Sequence, residues 1–565
     1  MKKLLFLTVI SMMLSCKEDS KEVSSNENSE SVEAEVTFNP NQKTPFVWEN
    51  ANLYFLLTDR FNNGDKTNDV NFGRTQKPAK LRGFMGGDLK GVTQKIEEGY
   101  FTDLGVNAIW MTPIVEQIHG GTDEGTGLSF GFHGYWAKDW TALDPNFGTM
   151  EDLKNLVDVA HENGIRVLLD AVVNHTGPVT KKDPVYPEEW VRTGPTCNYD
   201  NYENTITCTL VENLPDIRTE SDEDVALPPM LAEKWKNEGR YDQEMMELDA
   251  FFEATGYPRA PRFYIMKWLS DYITDFGIDG YRVDTVKHTE EYVWQEFRAI
   301  CDGAFKDFKE KHPEKVLDNN DFYLVGEVYN YGISATTAFD FGDKKVNYFD
   351  KAFNSLINFE LKWNAKQQNR EEVFNKYSNI LNNDLKGYGI LNYLSSHDDG
   401  QPFDPEREKP FETATMLMLT PGAAQIYYGD ESARELVVDG AKGDANLRSF
   451  MNWDKIANDA ETQNILKHWQ KLGRFRNSHP AVGAGQHEII FKKPYMFKRT
   501  YTKGDFNDVV VVALDIKKGK KTLNVESVFE NGVKLRDAYS GIETEVKGGK
   551  AVIDSEFDIV LLERM

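Results

Sequence analysis

"ITDFGIDGYRVDTVKH", Ile273 to His288, is the stretch on which the fold turns. Just before and inside it, Ile265, Trp268, Leu269, Tyr272, Ile273 and Phe276 recur at helical spacing, and Gly277 stands where the helix must stop. The run that follows has the look of a buried strand, yet it ends in charge: Arg282, Asp284, Lys287 and His288 fall within seven residues. Alternation along a strand puts Arg282 and Asp284 on one face and Tyr281 and Val283 on the other. Tyr281 and Val283 can pack on helices, so the charged pair faces an opening at the strand's C-terminal end. Asp275 and Asp279 read as solvated loop acids.

The same alternation of helix and short apolar strand extends in both directions. "ANLYFLL" (51–57), "VNAIWMTPI" (106–114) and "IRVLLDAVV" (165–173) read as strands upstream. The third follows an amphipathic helix that opens on a Thr149–Asp152 capping box, buries Leu153, Leu156, Val157 and Ala160, and closes before Gly164. Near-continuous apolar runs of this kind are those of parallel strands covered on both faces. Downstream come "DFYLVGEV" (321–328), a poorly defined strand near 337–349, "GYGILNYLSS" (387–396) and "AAQIYYG" (423–429). Eight strands in about 420 residues make a (β/α)8 TIM barrel the expected fold. Residues 176–260 are polar and irregular and read as a domain inserted after the third strand. From 477 to 565, runs such as "DVVVVALDI" and "FDIVLLE" predict an antiparallel β-sandwich domain. The barrel itself is expected over 46–175 and 261–476.

The N-terminus is not part of that fold. Lys2 and Lys3 precede an apolar run, Leu4 to Leu14, too short to span a bilayer and of signal-peptide length. "MLSC" ends it with a small residue before Cys16, the pattern of a lipobox, so residues 1–16 are expected to be a lipoprotein signal with Cys16 acylated. Residues 17–45 are rich in Ser, Glu and Asn and are expected to be a flexible tether. In an exported chain Cys197 and Cys208 form a natural disulfide, and Cys301, in a helical pattern, reads as a buried thiol. The formal net charge of −26 argues against nucleic acid and anionic membrane surfaces as electrostatic partners.

The other strand ends also carry polar groups: Asp170, Asn174 and His175 on the third, Glu327 on the fifth, His397 and Asp398 on the seventh. "DAVVNH" (170–175), "GYRVDTVKH" (280–288), "GEV" (326–328) and "SSHDD" (395–399) resemble, in order and spacing, the four signature regions of the α-amylase family, glycoside hydrolase family 13. "TDRFNNGDKTND" (58–69), "FHGYWAKDW" (132–140), "LPD" (214–216) and "IYYGDE" (426–431) support the resemblance, which covers about residues 48–565. Ser396 stands where Asn is commoner before His-Asp, as in some bacterial periplasmic amylases.

The resemblance implies retaining endo-hydrolysis of α-1,4-glucosidic bonds in starch, glycogen or maltooligosaccharides. Asp284 would be the nucleophile, Glu327 the acid/base and Asp398 the transition-state stabiliser. His133, Tyr135, Asp170, His175, Arg282, Lys287, His288 and His397 would bind the sugar or tune these acids. It also implies calcium. One site would use Asn63, Asp65, Asn68, Asp69, Gly86 and Asp88, all supplying hard oxygen ligands; a second, joining barrel to insertion, would use Asn174, Asp216 and the His288 carbonyl. The alternatives are a neopullulanase or cyclomaltodextrinase, an α-glucan transglycosylase, or a non-catalytic glucan-binding relative. The last disagrees with the presence of all three acids. The lipid would place the protein on the outer membrane of a bacterial envelope, where a starch-uptake complex would be a partner.

Overall fold

The structure is a computed structural model and describes residues 43–565. The signal peptide, Cys16 and most of the tether therefore lie outside the described residues. The body from residue 43 onward contains a closed barrel of eight parallel strands: β1 (Asn52–Leu56), β2 (Ala108–Met111), β3 (Arg166–Ala171), β4 (Gly280–Val283), β5 (Tyr323–Gly326), β6 (Ser355–Asn358), β7 (Gly389–Asn392) and β8 (Ala423–Tyr427). β4 pairs with β3 on one side and β5 on the other, which sets Arg282 level with Asp170 and Val325. Every residue of all eight strands is buried, as the apolar runs require.

Local chemistry explains the elements that frame the mouth. Helix α1 (Leu89–Glu97) starts on Asp88, whose side chain accepts from the Gly91 amide. Helix α2 (Met150–Glu162) has the expected Thr149–Asp152 capping box and buries Leu153, Leu156, Val157 and Ala160. Helix α5 (Pro261–Phe276), which follows α3 (Pro229–Asn237) and α4 (Tyr241–Thr255) of the insertion, ends on Gly277 at φ +71°, a conformation open to glycine at little cost.

Three expectations are corrected. The sixth strand is not at 337–349, where a small hairpin (Phe339–Asp340 with Lys345–Val346) stands outside the barrel; it is Ser355–Asn358, four residues with polar ends and too short to carry a periodic signal. The insertion is not irregular throughout. Its second half holds α3 and α4, which bury only Leu231, Trp235, Leu248 and Phe252, so their apolar stripes are narrow. Trp190 and Trp235 pack on Trp268 of α5, with ring centroids 6.3 and 6.1 Å away. Asp279 is no solvated acid either: it accepts from His161 Nε2 and from the Val167 amide, both at 2.8 Å, and ties β4 to the start of β3. Asp275 is exposed, as expected, but on the last turn of α5 and not in a loop.

Residues 43–50 lie at the N-terminal ends of the strands. Phe46 receives the Arg166 guanidinium at 3.6 Å, and Trp48 stacks on Tyr323 at 3.9 Å. At the other end of the chain, strands β9 to β16 (Gln486–Lys492, Tyr495–Lys503, Phe506–Leu514, Gly519–Asn524, Lys534–Asp537, Glu543–Glu545, Lys550–Ser555 and Val560–Arg564) form a six-stranded antiparallel sheet in the order β9-β10-β11-β16-β13-β14 and a two-stranded sheet, β12-β15. The two enclose a small core that includes Val511, Leu523, Ile553 and Leu562. This domain is pinned to the barrel by His479, which bonds Asp508 at 2.8 Å and Glu563 at 2.7 Å. Cys197 and Cys208 are joined by a disulfide, and Cys301 is a buried thiol.

Candidate active site

The charge at the end of β4 is a hub. Arg282 is fully buried, and its Nη1 donates to Asp284 Oδ1 at 2.7 Å and to Asp170 Oδ1 at 3.0 Å, while its Nη2 pairs with Glu327 Oε2 at 3.0 Å. One guanidinium thus gathers carboxylates from three adjacent strand ends. Immediately after Asp284 the backbone turns sharply: Thr285 sits at φ +49°, unusual for a β-branched residue. The turn aims the Thr285 amide at Glu327 Oε2 (3.0 Å) and the Val286 amide at the Glu327 carbonyl (3.0 Å). Tyr281, on the opposite face, packs outward and donates to the Leu269 carbonyl of α5 at 2.7 Å.

Burial is the largest influence on these acids. It pushes Glu327 up to about 8, against the pull of Arg282 and with help from the charges of Asp284 and Asp398. Anionic neighbours therefore assist, but desolvation leads. Asp170 rises to about 7 for the same first reason. Asp398 goes the other way: burial raises it, but His397, Arg282 and Arg448 outweigh that and hold it below the usual carboxylate range. Burial also lowers His397 and His288 to about 4, so both rings are neutral at pH 7.

A cavity of about 740 Å³ opens at the C-terminal ends of the strands. Asp284, Glu327, Asp398, His133, Tyr135, His175, Lys287, His288 and His397 all line it. Asp170 and Arg282 do not; they lie beneath its floor. Asp170 accepts from Trp110 Nε1 (3.0 Å) and Tyr135 Oη (2.9 Å), so its part is to hold Arg282 and Tyr135 rather than to meet a ligand. Tyr135 stacks on His397 with centroids 5.3 Å apart. Lys287 Nζ donates to the Tyr329 carbonyl at 3.3 Å, and His288 Nδ1 meets the Thr205 carbonyl of the disulfide-closed loop at 3.1 Å.

The cavity has two ends that the sequence pattern does not reveal. At one, Glu124, Asp444 and Arg448 form a polar wall; Asp444 pairs with Arg448 at 2.8 Å and with Arg82 at 2.7 Å. At the other, Tyr199 and Val211 of the insertion and Tyr329 present half-exposed apolar surface. Tyr329 could have been found from its place two residues after Glu327. Asp444 and Arg448 follow β8 in a short 3-10 helix, Gly443–Arg448, too brief to leave a periodic pattern that would mark them.

The two predicted metal sites differ. Among the described residues, no group of three or more His, Cys, Asp or Glu side chains is placed to hold a metal, so any such site must rest largely on amide and backbone oxygens. In the first, Asn63 Oδ1 and Asn68 Oδ1 are buried without a partner, and Gly86, at φ +90°, leaves Asn63 and Asp69 so close that a Cβ would lie 2.3 and 2.6 Å from them. Those four residues fit a hard cation. Asp88 and Asp65 have other work: Asp88 accepts from the Gly64, Asp65 and Gly91 amides, and Asp65 pairs with Lys90 at 2.7 Å. In the second, Asp216 Oδ2 lies 2.9 Å from Arg192 Nε, while Asp216 Oδ1 is buried without a partner.

Known proteins share this architecture. Residues 55–474 match the family model for the alpha amylase catalytic domain. The chain is 35% identical to the periplasmic alpha-amylase of Escherichia coli (strain K12), over 83% of this chain and 73% of that protein. It is 27% identical to a cyclomaltodextrin glucanotransferase of Thermoanaerobacterium thermosulfurigenes over 82% of this chain, spanning 59% of that longer protein. The crystal structure of an Anoxybacillus alpha-amylase superposes with a TM-score of 0.62 at 25% identity, covering 92% of this chain and 99% of that one. With a matching catalytic-domain model over most of its length and the four strand-end motifs gathered at one cavity, the chain belongs to the alpha-amylase family of glycoside hydrolases.

Proposed function

We propose that this protein hydrolyses internal α-1,4-glucosidic bonds of starch, glycogen or maltooligosaccharides with retention. The observation that carries the reading is the pairing of Asp284 and Glu327 on one guanidinium, with Glu327 pushed up to about 8. At pH 7 Glu327 then keeps its proton and can pass it to the glycosidic oxygen as the Asp284 carboxylate attacks the anomeric carbon. The leaving chain departs with that proton. Glu327, now ionised, takes a proton from water as the water oxygen displaces Asp284, and both acids return to their starting states. Asp398, held ionised, favours the cationic transition state, and the neutral His133, His175 and His397 are placed to bond sugar hydroxyls. The likeness to the periplasmic alpha-amylase supports amylase specificity.

A second reading, transfer to another sugar or opening of cyclodextrins, is favoured by the apolar rim of Tyr199, Val211 and Tyr329, which would hold an acceptor sugar in place of water. Calcium at Asn63, Asn68, Asp69 and the Gly86 carbonyl would tie the loop after β1 to the start of α1; its chemistry there is structural. Attachment to the outer membrane through Cys16, and membership of a starch-uptake complex, rest on the leader sequence. The periplasmic relative supports a place outside the cytoplasm, and among the described residues no helix is long and apolar enough to cross a membrane.

The test is sugar release from soluble starch, pullulan and a cyclodextrin by the wild type and Asp284→Asn. Starch is expected to be the best substrate, with the α-anomer as first product by proton NMR and the variant inactive. A first-formed β-anomer, or equal activity in both proteins, would overturn the mechanism.

A further inference from the structure

The polar end of the cavity is bordered by a hairpin that no sequence motif marks. Beyond β2, Thr122–Asp123 pairs with Leu128–Ser129 in a short antiparallel ladder. Its root is fixed: Asp183, paired with Lys138 at 2.7 Å, accepts from the His119 and Gly120 amides, both at 2.8 Å. One side is fixed to the loop after β1, where the Ala79 amide donates to the Leu128 carbonyl and the Phe130 amide to the Arg82 carbonyl, each at 2.9 Å. The tip is closed on itself. Asp123 Oδ1 accepts from the Gly125 and Gly127 amides at 2.8 Å, and those glycines stand at φ +90° and +100°, where other residues would be strained. The tip also reaches the short 3-10 helix that carries Asp444 and Arg448: a Cβ on Gly443 would lie 4.0 Å from Thr126 Cγ2.

This frame presents Glu124 to the cavity. Its neighbours in the wall are committed to one another, Asp444 to Arg82 at 2.7 Å and to Arg448 at 2.8 Å. Glu124 is not. Among the described residues its carboxylate feels the charges of Arg82 and Arg448 without a hydrogen bond or ion pair to either, and the residue is exposed. A rigid support thus holds an open pair of acceptor oxygens at the edge of the catalytic cavity. An ionised carboxylate accepts hydrogen bonds from hydroxyl groups, and such bonds are about twice as strong as neutral ones.

The side of the cut follows from the acid. Glu327 passes its proton to the departing sugar, and Tyr329, two residues on, stands at the opposite, apolar end of the cavity. The polar end therefore receives the sugars that remain on Asp284, those on the non-reducing side of the broken bond. We propose that Glu124 is a specificity residue of this reaction: it accepts hydrogen bonds from hydroxyls of the sugar farthest from the cut on the non-reducing side, and so sets how long a piece the enzyme prefers to release. The assignment rests on the hydrolytic reading above and adds a length rule to it.

The experiment measures kcat/KM for a series of maltooligosaccharides of increasing length, each with a chromogenic group at the reducing end, in the wild type, Glu124→Ala and Glu124→Gln, with chromatography to locate the bond cut. In Glu124→Ala the loss is expected to grow with length, smallest for the shortest member and about ten- to a hundredfold once the chain reaches the hairpin. It should appear in KM rather than kcat, and the cut should move toward the non-reducing end, so that the piece released from that side is shorter. Glu124→Gln, which keeps one acceptor oxygen but no charge, should fall between. A loss equal at every length would mean that Glu124 only shapes the hairpin, and no loss at any length would mean that it meets no sugar; either result would overturn the proposal. A wild type inactive on the whole series would overturn the hydrolytic reading as well, which distinguishes the two failures.

Discussion

Arg282→Lys tests the hub at the end of β4 most directly. The guanidinium makes charge-assisted hydrogen bonds and ion pairs with Asp170, Asp284 and Glu327 from two separate nitrogens. A lysine ammonium is a single point on a flexible stem and can keep one of the three. A hydrogen bond to a charged group is worth about 1.5–3 kcal/mol, so removing two costs about 3–6 kcal/mol. If that cost falls on the transition state, at about 1.4 kcal/mol per factor of ten, kcat/KM for maltooligosaccharides should drop about 10²- to 10⁴-fold. The same substitution moves a proton. Activity needs Glu327 protonated, so the wild-type rate should decline as pH rises through about 8. Arg282 pulls that value down, and weakening its hold on Glu327 should carry the alkaline limb to higher pH. The assay is kcat/KM against pH for both proteins, with calorimetry to show that the variant is folded at each point. A folded Arg282→Lys enzyme within tenfold of wild type, with its alkaline limb unmoved, would refute the hub.

Two further predictions concern stability. His479 is raised to about 9: burial opposes its charge, but its hydrogen bonds to Asp508 and Glu563 prevail. A raised folded value stabilises fully below the unfolded value of about 6.5 and is lost as pH climbs through about 9, so His479→Gln should melt lower than wild type at pH 6, by up to about 3 kcal/mol, and the gap should close by about pH 10. A gap independent of pH would show that the clamp is not ionic. Gly277→Ala places a Cβ 2.1 Å from the Phe308 ring on backbone at φ +71°, and calorimetry should show destabilisation by about 2–5 kcal/mol; a midpoint equal to wild type would contradict the reading of Gly277 as an obligatory stop.

The barrel was legible because parallel strands buried on both faces leave apolar runs, and because charge at their ends has no structural excuse. Most strands that could be read lie in long apolar runs, and β4 was read from its alternation and its terminal charge; Ser355–Asn358 has polar ends and escaped. Helices α3 and α4 escaped for a related reason: each buries two side chains, so most of each helix surface is polar and the sequence there looks like loop. The site divides similarly. Motif residues found their places, but depth could not be read from a line of letters: Asp170 and Asp284 are both acids at strand ends, and only packing puts one under the floor and the other on it. Arg192 carries no mark in sequence, since its partner is set by a two-residue ladder that forms only when the insertion folds back.

The packing of Phe46 and Trp48 on Arg166 and Tyr323 has a practical side. These rings fasten the leading segment to the back of the barrel, at the roots of β3 and β5, while bond cleavage is assigned to the opposite rim. A bead, a surface or a partner domain joined ahead of residue 43 would take hold of the enzyme from behind. An insoluble starch granule is far larger than the protein and has to be approached face-on, so a handle at this end should leave the rim free to graze it, whereas a handle on the Tyr199 loop would stand in the way.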